Sequence, residues 1–345
     1  DQIWLSNATE DGKKLSAVCL DKKSGRVVHD LLLFEVAKPQ FCIPYNSYAS
    51  STPTIEEGRV YLHFGSPGTA CLDTATGKKI WERTDIQCDH FRGAGSSPVI
   101  RGDKLFLTFD GSDQQFVMAL DKKTGETVWR KDREIKYAPS KDGDIKKAYS
   151  TPTFVEVDGK TQLISPAAEA TIAYDAANGE EIWRVVHGGM NEACRPVVGH
   201  GLVFLSSGHT KKLLAIRQGT GDRTKEVEWS TSKGVPTRPS FTLKGDLLFL
   251  LSDEGIASCF DAKTGKQHWQ ERVGGKAFSA SPILANGLLY CNDEAGKTYL
   301  LSASTEFKVV AVNEVQTGCM ASLAVSGDTL ILRTKTHLYA IGEKK

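Results

Sequence analysis

Short apolar runs broken every few residues by Gly, Asn or Asp fill the chain, and no segment sustains a helical period. The sharpest unit reads Met118-Ala-Leu-Asp-Lys-Lys-Thr-Gly-Glu-Thr-Val-Trp129: a strand ending at Asp121, a tight turn, and a second strand carrying Trp129. Glycine at such a turn takes positive φ, and Asp and Thr side chains bond nearby backbone amides, so the pattern predicts a β-hairpin. The unit recurs at 71–81, 173–183 and 259–269. Weaker copies end at His29, Trp229 and Val310, and an eighth, Leu338-Tyr-Ala-Ile-Gly342, closes the sequence.

Each hairpin follows a small-polar run ending in Pro, a strand, a Gly-containing turn and another strand. Ser50-Ser-Thr-Pro-Thr-Ile-Glu-Glu-Gly-Arg-Val-Tyr-Leu62 shows the form, and 96–107, 195–204, 238–249 and 279–290 repeat it. Four strands per repeat at a spacing of roughly 40 to 55 residues is what one propeller blade requires. The predicted fold is all-β: an eight-bladed β-propeller of four-stranded antiparallel blades, read as one domain over 1–345. The blades fall near 1–34, 49–86, 96–137, 150–187, 193–231, 237–273, 279–315 and 319–342. The first lacks its innermost strand, because Ile3-Trp-Leu-Ser6 matches only a second strand, and the last lacks its outermost. These complementary losses lead us to expect an upstream segment that supplies both; without it a strand edge stays open to aggregation or docking.

Composition narrows the function. The 345 residues carry a net charge of +1 with no long block of one sign, which argues against a dedicated nucleic-acid or membrane surface. No apolar run is long enough to span a bilayer, and no signal peptide stands at Asp1. Five of the six tryptophans, Trp81, Trp129, Trp183, Trp229 and Trp269, fall on outer strands, where a large ring wedges between neighbouring blades. Burying each contributes on the order of 2–3 kcal/mol. His29 and Val310 stand at the equivalent positions of the first and seventh repeats. Of the eight cysteines, Cys19, Cys71 and Cys259 share the pre-turn position with Ala119 and Ala173, which reads as a small buried residue. Cys42 and Cys88 lie in long loops, and the sequence leaves a disulfide between them open.

The repeated Ala-x-Asp-x-x-Thr-Gly-x-x-x-Trp, with its Ser-Ser-Pro lead-ins, resembles the PQQ-like (quinoprotein-type) β-propeller repeat over essentially the whole chain. Asn46-Ser-Tyr-Ala-Ser-Ser-Thr-Pro53, His90-Phe-Arg-Gly-Ala-Gly-Ser-Ser-Pro98 and Leu332-Arg-Thr-Lys-Thr-His-Leu-Tyr339 are similar to the subgroup of bacterial PQQ-binding-like propellers. The same repeat builds the outer-membrane assembly lipoprotein, a non-enzymatic propeller that binds proteins, and the quinone-dependent alcohol dehydrogenases. The resemblance implies an exported, periplasmic setting. Quinoproteins of this fold carry an adjacent Cys-Cys pair, a Trp floor beneath the quinone and Glu/Asn/Asp ligands to calcium. This chain has no Cys-Cys dipeptide, and only Trp4 remains outside the docking set. Asp110-Gly-Ser-Asp113 lacks a calcium loop's alternating oxygens and reads as a solvated turn.

Crossovers from each outer strand to the next inner strand surround the mouth of a propeller's channel, a usual place to hold a ligand or partner. The first three (35–49, 84–95 and 131–149) are long. Tyr48, His90, Arg92, Lys147, Tyr149, Asn191, Glu192, Arg195 and Arg238 sit just before inner strands and form the candidate binding set. Each read alone is a satisfied loop residue; the set is a polar surface. Cys88 with His90 gives two ligands, short of a metal site. Glu192 or His90 as general acid or base has no nucleophile beside it. Asn7-Ala-Thr9 matches a glycosylation sequon. The leading expectation is a non-catalytic binding or scaffolding module without cofactor or metal. The alternatives are a PQQ- and calcium-dependent dehydrogenase with an unusual site and a sensor of a small ligand or glycan.

Overall fold

The computed structural model describes residues 1–140 and 142–342. They form eight antiparallel sheets in sequence order, the expected eight-bladed β-propeller. Six sheets have the four blade strands; the first (Gln2–Ala8, Lys14–Asp21, Val27–Glu35) and the last (Ala324–Ser326, Thr329–Arg333, Leu338–Ile341) have three, matching the short terminal blades read from the sequence. The chain divides into two compact units of four blades, Asp1–Val186 and the residues from His187 onward.

The hairpin that defines the repeat is built as its residues dictate. In the third blade, Asp121 accepts from the amides of Lys123 and Thr124 at 2.8 and 2.9 Å, and the Gly125 amide returns to the Asp121 carbonyl at 2.8 Å. Gly125 holds φ +76°, which a residue with a Cβ adopts at a cost. On the following strand, Ala119 pairs with Trp129 but Leu120 pairs with Thr127, so Val128 bulges outward. The same one-residue bulge sits before Trp81, Trp183, Trp229 and Trp269. The residue opposite the indole is Cys71, Ala119, Ala173, Ala215 or Cys259, each with no exposed surface, so a small side chain leaves room for the ring.

Four of the five indoles then reach the next blade's turn. Trp81 donates to Lys122 O at 3.1 Å, Trp129 to Ala176 O at 3.2 Å, Trp229 to Ala262 O at 2.9 Å and Trp269 to Ser304 O at 3.0 Å. Trp183 instead donates to Gln162 Oε1 of its own blade at 3.1 Å. In the first blade His29 occupies the position and stacks on Trp4 with ring centroids 5.6 Å apart. The turn glycine receives the ring: a Cβ at Gly125 would lie 2.7 Å from Trp81, whereas one at Gly102, also at positive φ, would meet nothing within 4 Å. Gly125→Ala is therefore expected to cost about 1–3 kcal/mol more than Gly102→Ala in chemical denaturation, since both share the backbone strain and only one overpacks. Equal losses would remove the indole-on-glycine contact as a source of stability.

Candidate functional site

In the first unit, three long crossovers are tied to one another. Gln40, in the first, donates to Cys88 O at 3.0 Å and accepts from the His90 amide at 2.8 Å. Asn46 donates to Arg92 O and Ala94 O at 3.2 and 3.0 Å. Tyr48 donates to Gln40 O at 2.9 Å, and its ring lies against Gly12, where any Cβ would sit 2.6 Å from it. A close approach of this kind needs glycine on the other side. The loop so fixed carries Phe41 and Tyr45, whose relative exposures are 66% and 71%.

The second crossover is pinned from below. His90 is buried, and the Ser66 amide donates to its Nε2 at 2.9 Å, which places the ring proton on Nδ1, 3.6 Å from Cys88 Sγ. Burial, aided by Lys147 and His63, pushes His90 down to about 3, and burial alone brings His63 to about 4. Both rings are neutral at physiological pH. Cys88 and Cys42 are free thiols in this structure. Cys88 faces His90 while Cys42 packs towards Gly93. Arg92 pairs with Asp144 at 3.2 Å on the third crossover.

Beneath these loops lies a buried ionic centre. Arg133 forks onto Asp110 at 2.6 and 2.8 Å and donates to Ser165 Oγ at 3.0 Å, with both partners almost wholly enclosed. Lys147, equally buried, donates to the Asp110 carbonyl and lies 5.1 Å over the Tyr149 ring. Its amine is shifted down by burial, against the pull of Cys88, Asp110 and nearby aspartates. Asp110 is thus no solvated turn residue. The partner that buries it, Arg133, leaves the next outer strand 23 positions on, and the local sequence gives no sign of it. Under the first crossover, Tyr48, His63 and His90 help line a small, partly open pocket.

In the second unit, Arg238 binds Asp253 at 2.7 Å, Glu294 at 3.2 Å and Ser279 at 2.7 Å. Asp253 also accepts from the Thr237 amide and hydroxyl, and burial, offset by Arg238 and Thr237, leaves its carboxyl below the usual range. Asn191 is buried at φ +58°. Glu192 is fully enclosed, with His187 Nδ1 3.8 Å away. Burial lowers His187 to about 4. Arg195 is exposed, and its amide donates to Ser240 at 2.9 Å. Within the first unit Tyr48, His90, Arg92, Lys147 and Tyr149 share one loop cluster; within the second, Arg238 anchors a network of its own. Phe41, Tyr45, Arg133, Asp253 and Glu294 complete these clusters and escaped the sequence reading, which singled out only residues just before inner strands.

The three neutral histidines imply a pH response. The unfolded chain binds protons near pH 6.5 and the folded one only near 3–4, so stability is complete above about pH 6.5 and falls as pH drops towards 4. The expected loss between pH 7 and 5 is about 2 kcal/mol per histidine by denaturant titration. His63→Phe should remove its share of the slope. An unchanged slope in that variant would show that His63 is not held neutral.

Four-stranded blades with Asp-x-x-Thr-Gly hairpins and indole docking define a PQQ-like β-propeller. The chain belongs to the family described as outer membrane protein assembly factor BamB, which it matches over residues 8–114 and 222–344. The solved BamB of Moraxella catarrhalis superposes with TM-score 0.67 at 14% identity, covering 97% of this chain and 96% of that one. A europium-containing methanol dehydrogenase gives 0.65 at 12%, covering 96% and 80%. Among curated proteins, the quinoprotein ethanol dehydrogenase of Pseudomonas aeruginosa is 29% identical over 39% of this chain and 22% of its own length. The tetrathionate hydrolase of Acidithiobacillus ferrooxidans is 22% identical over 70% and 48%. The chain thus spans between about a fifth and a half of these two relatives. No described helix is long and apolar enough to cross a membrane.

Proposed function

We propose that this protein is a non-catalytic, exported binding or scaffolding propeller that engages a protein partner through the crossover loops of its first unit. The observation that carries this reading is the first crossover, where Phe41 and Tyr45 stand exposed on a loop held by Gln40, Asn46 and Tyr48. A preordered loop binds with little ordering cost, and central aromatic anchors dominate protein interfaces. The family description, an outer membrane assembly factor, supports both a protein partner and export.

The dehydrogenase alternative draws on the names of the quinoprotein relatives. The residues present do not fit a quinone seated on an indole. Five indoles donate to fixed partners within their own or the next blade, and Trp4 stacks on His29. Among the described residues no three His, Cys, Asp or Glu side chains gather to hold a metal. The sensor alternative would use the open groove of about 510 Å³ that Val36, Lys38, Gln40, Ser66 and Gln87 help line beside the first crossover. The test is partner capture from the native cell by the wild-type protein beside the Phe41→Ala/Tyr45→Ala variant: loss of the captured protein supports the reading, and equal capture removes it.

A further inference from the structure

We propose that the loop face of the second unit binds an acidic polypeptide segment. The inference rests on the reading of the protein as a binding propeller but uses none of the residues that carry it. Hydrogen bonds join this face into one surface. Lys211 pairs with Glu254 at 2.9 Å, and Arg272 donates to Glu254 O at 2.7 Å. The Glu294 amide donates to Ala277 O at 2.9 Å, Cys319 to Glu294 O at 3.3 Å and Lys335 to Gly318 O at 3.1 Å.

Charge on this surface is segregated by depth. Three of its carboxylates turn inward: Asp253 and Glu294 hold Arg238, and Asp293 caps its own turn through the amides of Ala295, Gly296 and Lys297. Its cations turn outward: Lys211, Lys212, Arg272, Lys276 and Lys335 are exposed. Glu254, Glu271 and Glu314 are exposed acids of these turns and strand ends, fewer than the cations; the Glu254 carboxylate pairs with Lys211, and its backbone carbonyl accepts from Arg272. The whole chain is nearly neutral at +1, so the excess of exposed cations here comes from arrangement rather than composition.

Apart from the consecutive Lys211 and Lys212, the cations come from different loops or strand ends. That spacing suits carboxylates strung along an extended polypeptide better than duplex DNA, with one charge per about 1.7 Å of axis. A membrane surface would call for apolar side chains interleaved with the basic ones, and none of the five cations is followed by an exposed aromatic residue.

The test titrates the intact protein with a fluorescein-labelled (Glu-Gly-Ser)5 peptide, a matched Lys peptide and phosphatidylglycerol vesicles. The Glu peptide should bind saturably and weaken at least 10-fold from about 0.01 to 0.15 M salt, as the Debye length contracts from about 30 to 8 Å. Lys276→Glu/Lys335→Glu should weaken it as strongly. Phe41→Ala/Tyr45→Ala should leave it unchanged, which separates this surface from the first-unit site. No saturable binding, equal binding by the charge-reversed variant, or binding of vesicles in preference to the Glu peptide would overturn the proposal. If the Glu peptide fails while wild type still captures a partner through Phe41 and Tyr45, only this inference falls.

Discussion

Replacing Arg133 by Met is expected to destabilise the first unit by about 3–5 kcal/mol. The guanidinium and the Asp110 carboxylate are both almost fully enclosed, and their fork at 2.6 and 2.8 Å satisfies each with the other. Removing the cation strands an anion in a low-dielectric interior. Arg133→Met/Asp110→Leu should recover much of the loss, because neither charge then remains to be desolvated. Recovery will be partial: the Ser165 hydroxyl loses its donor, although the backbone carbonyl of residue 110 can still receive Lys147. Guanidinium denaturation of wild type, Arg133→Met, Asp110→Leu and the double variant reads the cycle. A single variant within about 1 kcal/mol of wild type would show that water reaches the pair.

Phe41→Ala/Tyr45→Ala is expected to weaken partner binding by 100-fold or more while leaving the melting temperature nearly unchanged. Buried aromatic anchors at an interface cost about 2 kcal/mol or more each on truncation, and two such losses convert to roughly 10²–10³ in affinity. Stability should hold because both rings are largely exposed in the free protein, so their removal opens no cavity. Gln40, Asn46 and Tyr48 supply hydrogen bonds that shape the loop. A variant that binds poorly and also melts early would point to loop collapse rather than to a lost contact.

The repeat was legible because its rules are local. Asp121, Thr124 and Gly125 lie within five positions, and their bonds form inside the turn whatever surrounds it. The outward set of tryptophans was readable for the same reason: strand alternation and spacing place it. The outward bulge before each indole was not, since it becomes visible only in the pairing of two strands. The loops were legible in length but not in content. Asp110 looked like a solvated acid because its partner Arg133 arrives from another strand exit, and Arg238 looked available until Asp253 and Glu294 closed on it. Phe41 and Tyr45 stood in the sequence as two more apolar residues in an irregular stretch. Their exposure depends on hydrogen bonds made by Gln40 and Asn46 to the following crossover, more than 40 positions away.

Most direct for the central claim is photo-crosslinking in the native cell with a benzophenone amino acid placed at position 41, at 45, and, as a control, at the exposed bulge position 128. A binding propeller of the kind argued above predicts a discrete protein adduct from 41 and 45 and none from 128. Adducts absent from 41 and 45, together with saturable calcium-dependent binding of PQQ and dye reduction by the purified protein, would contradict it.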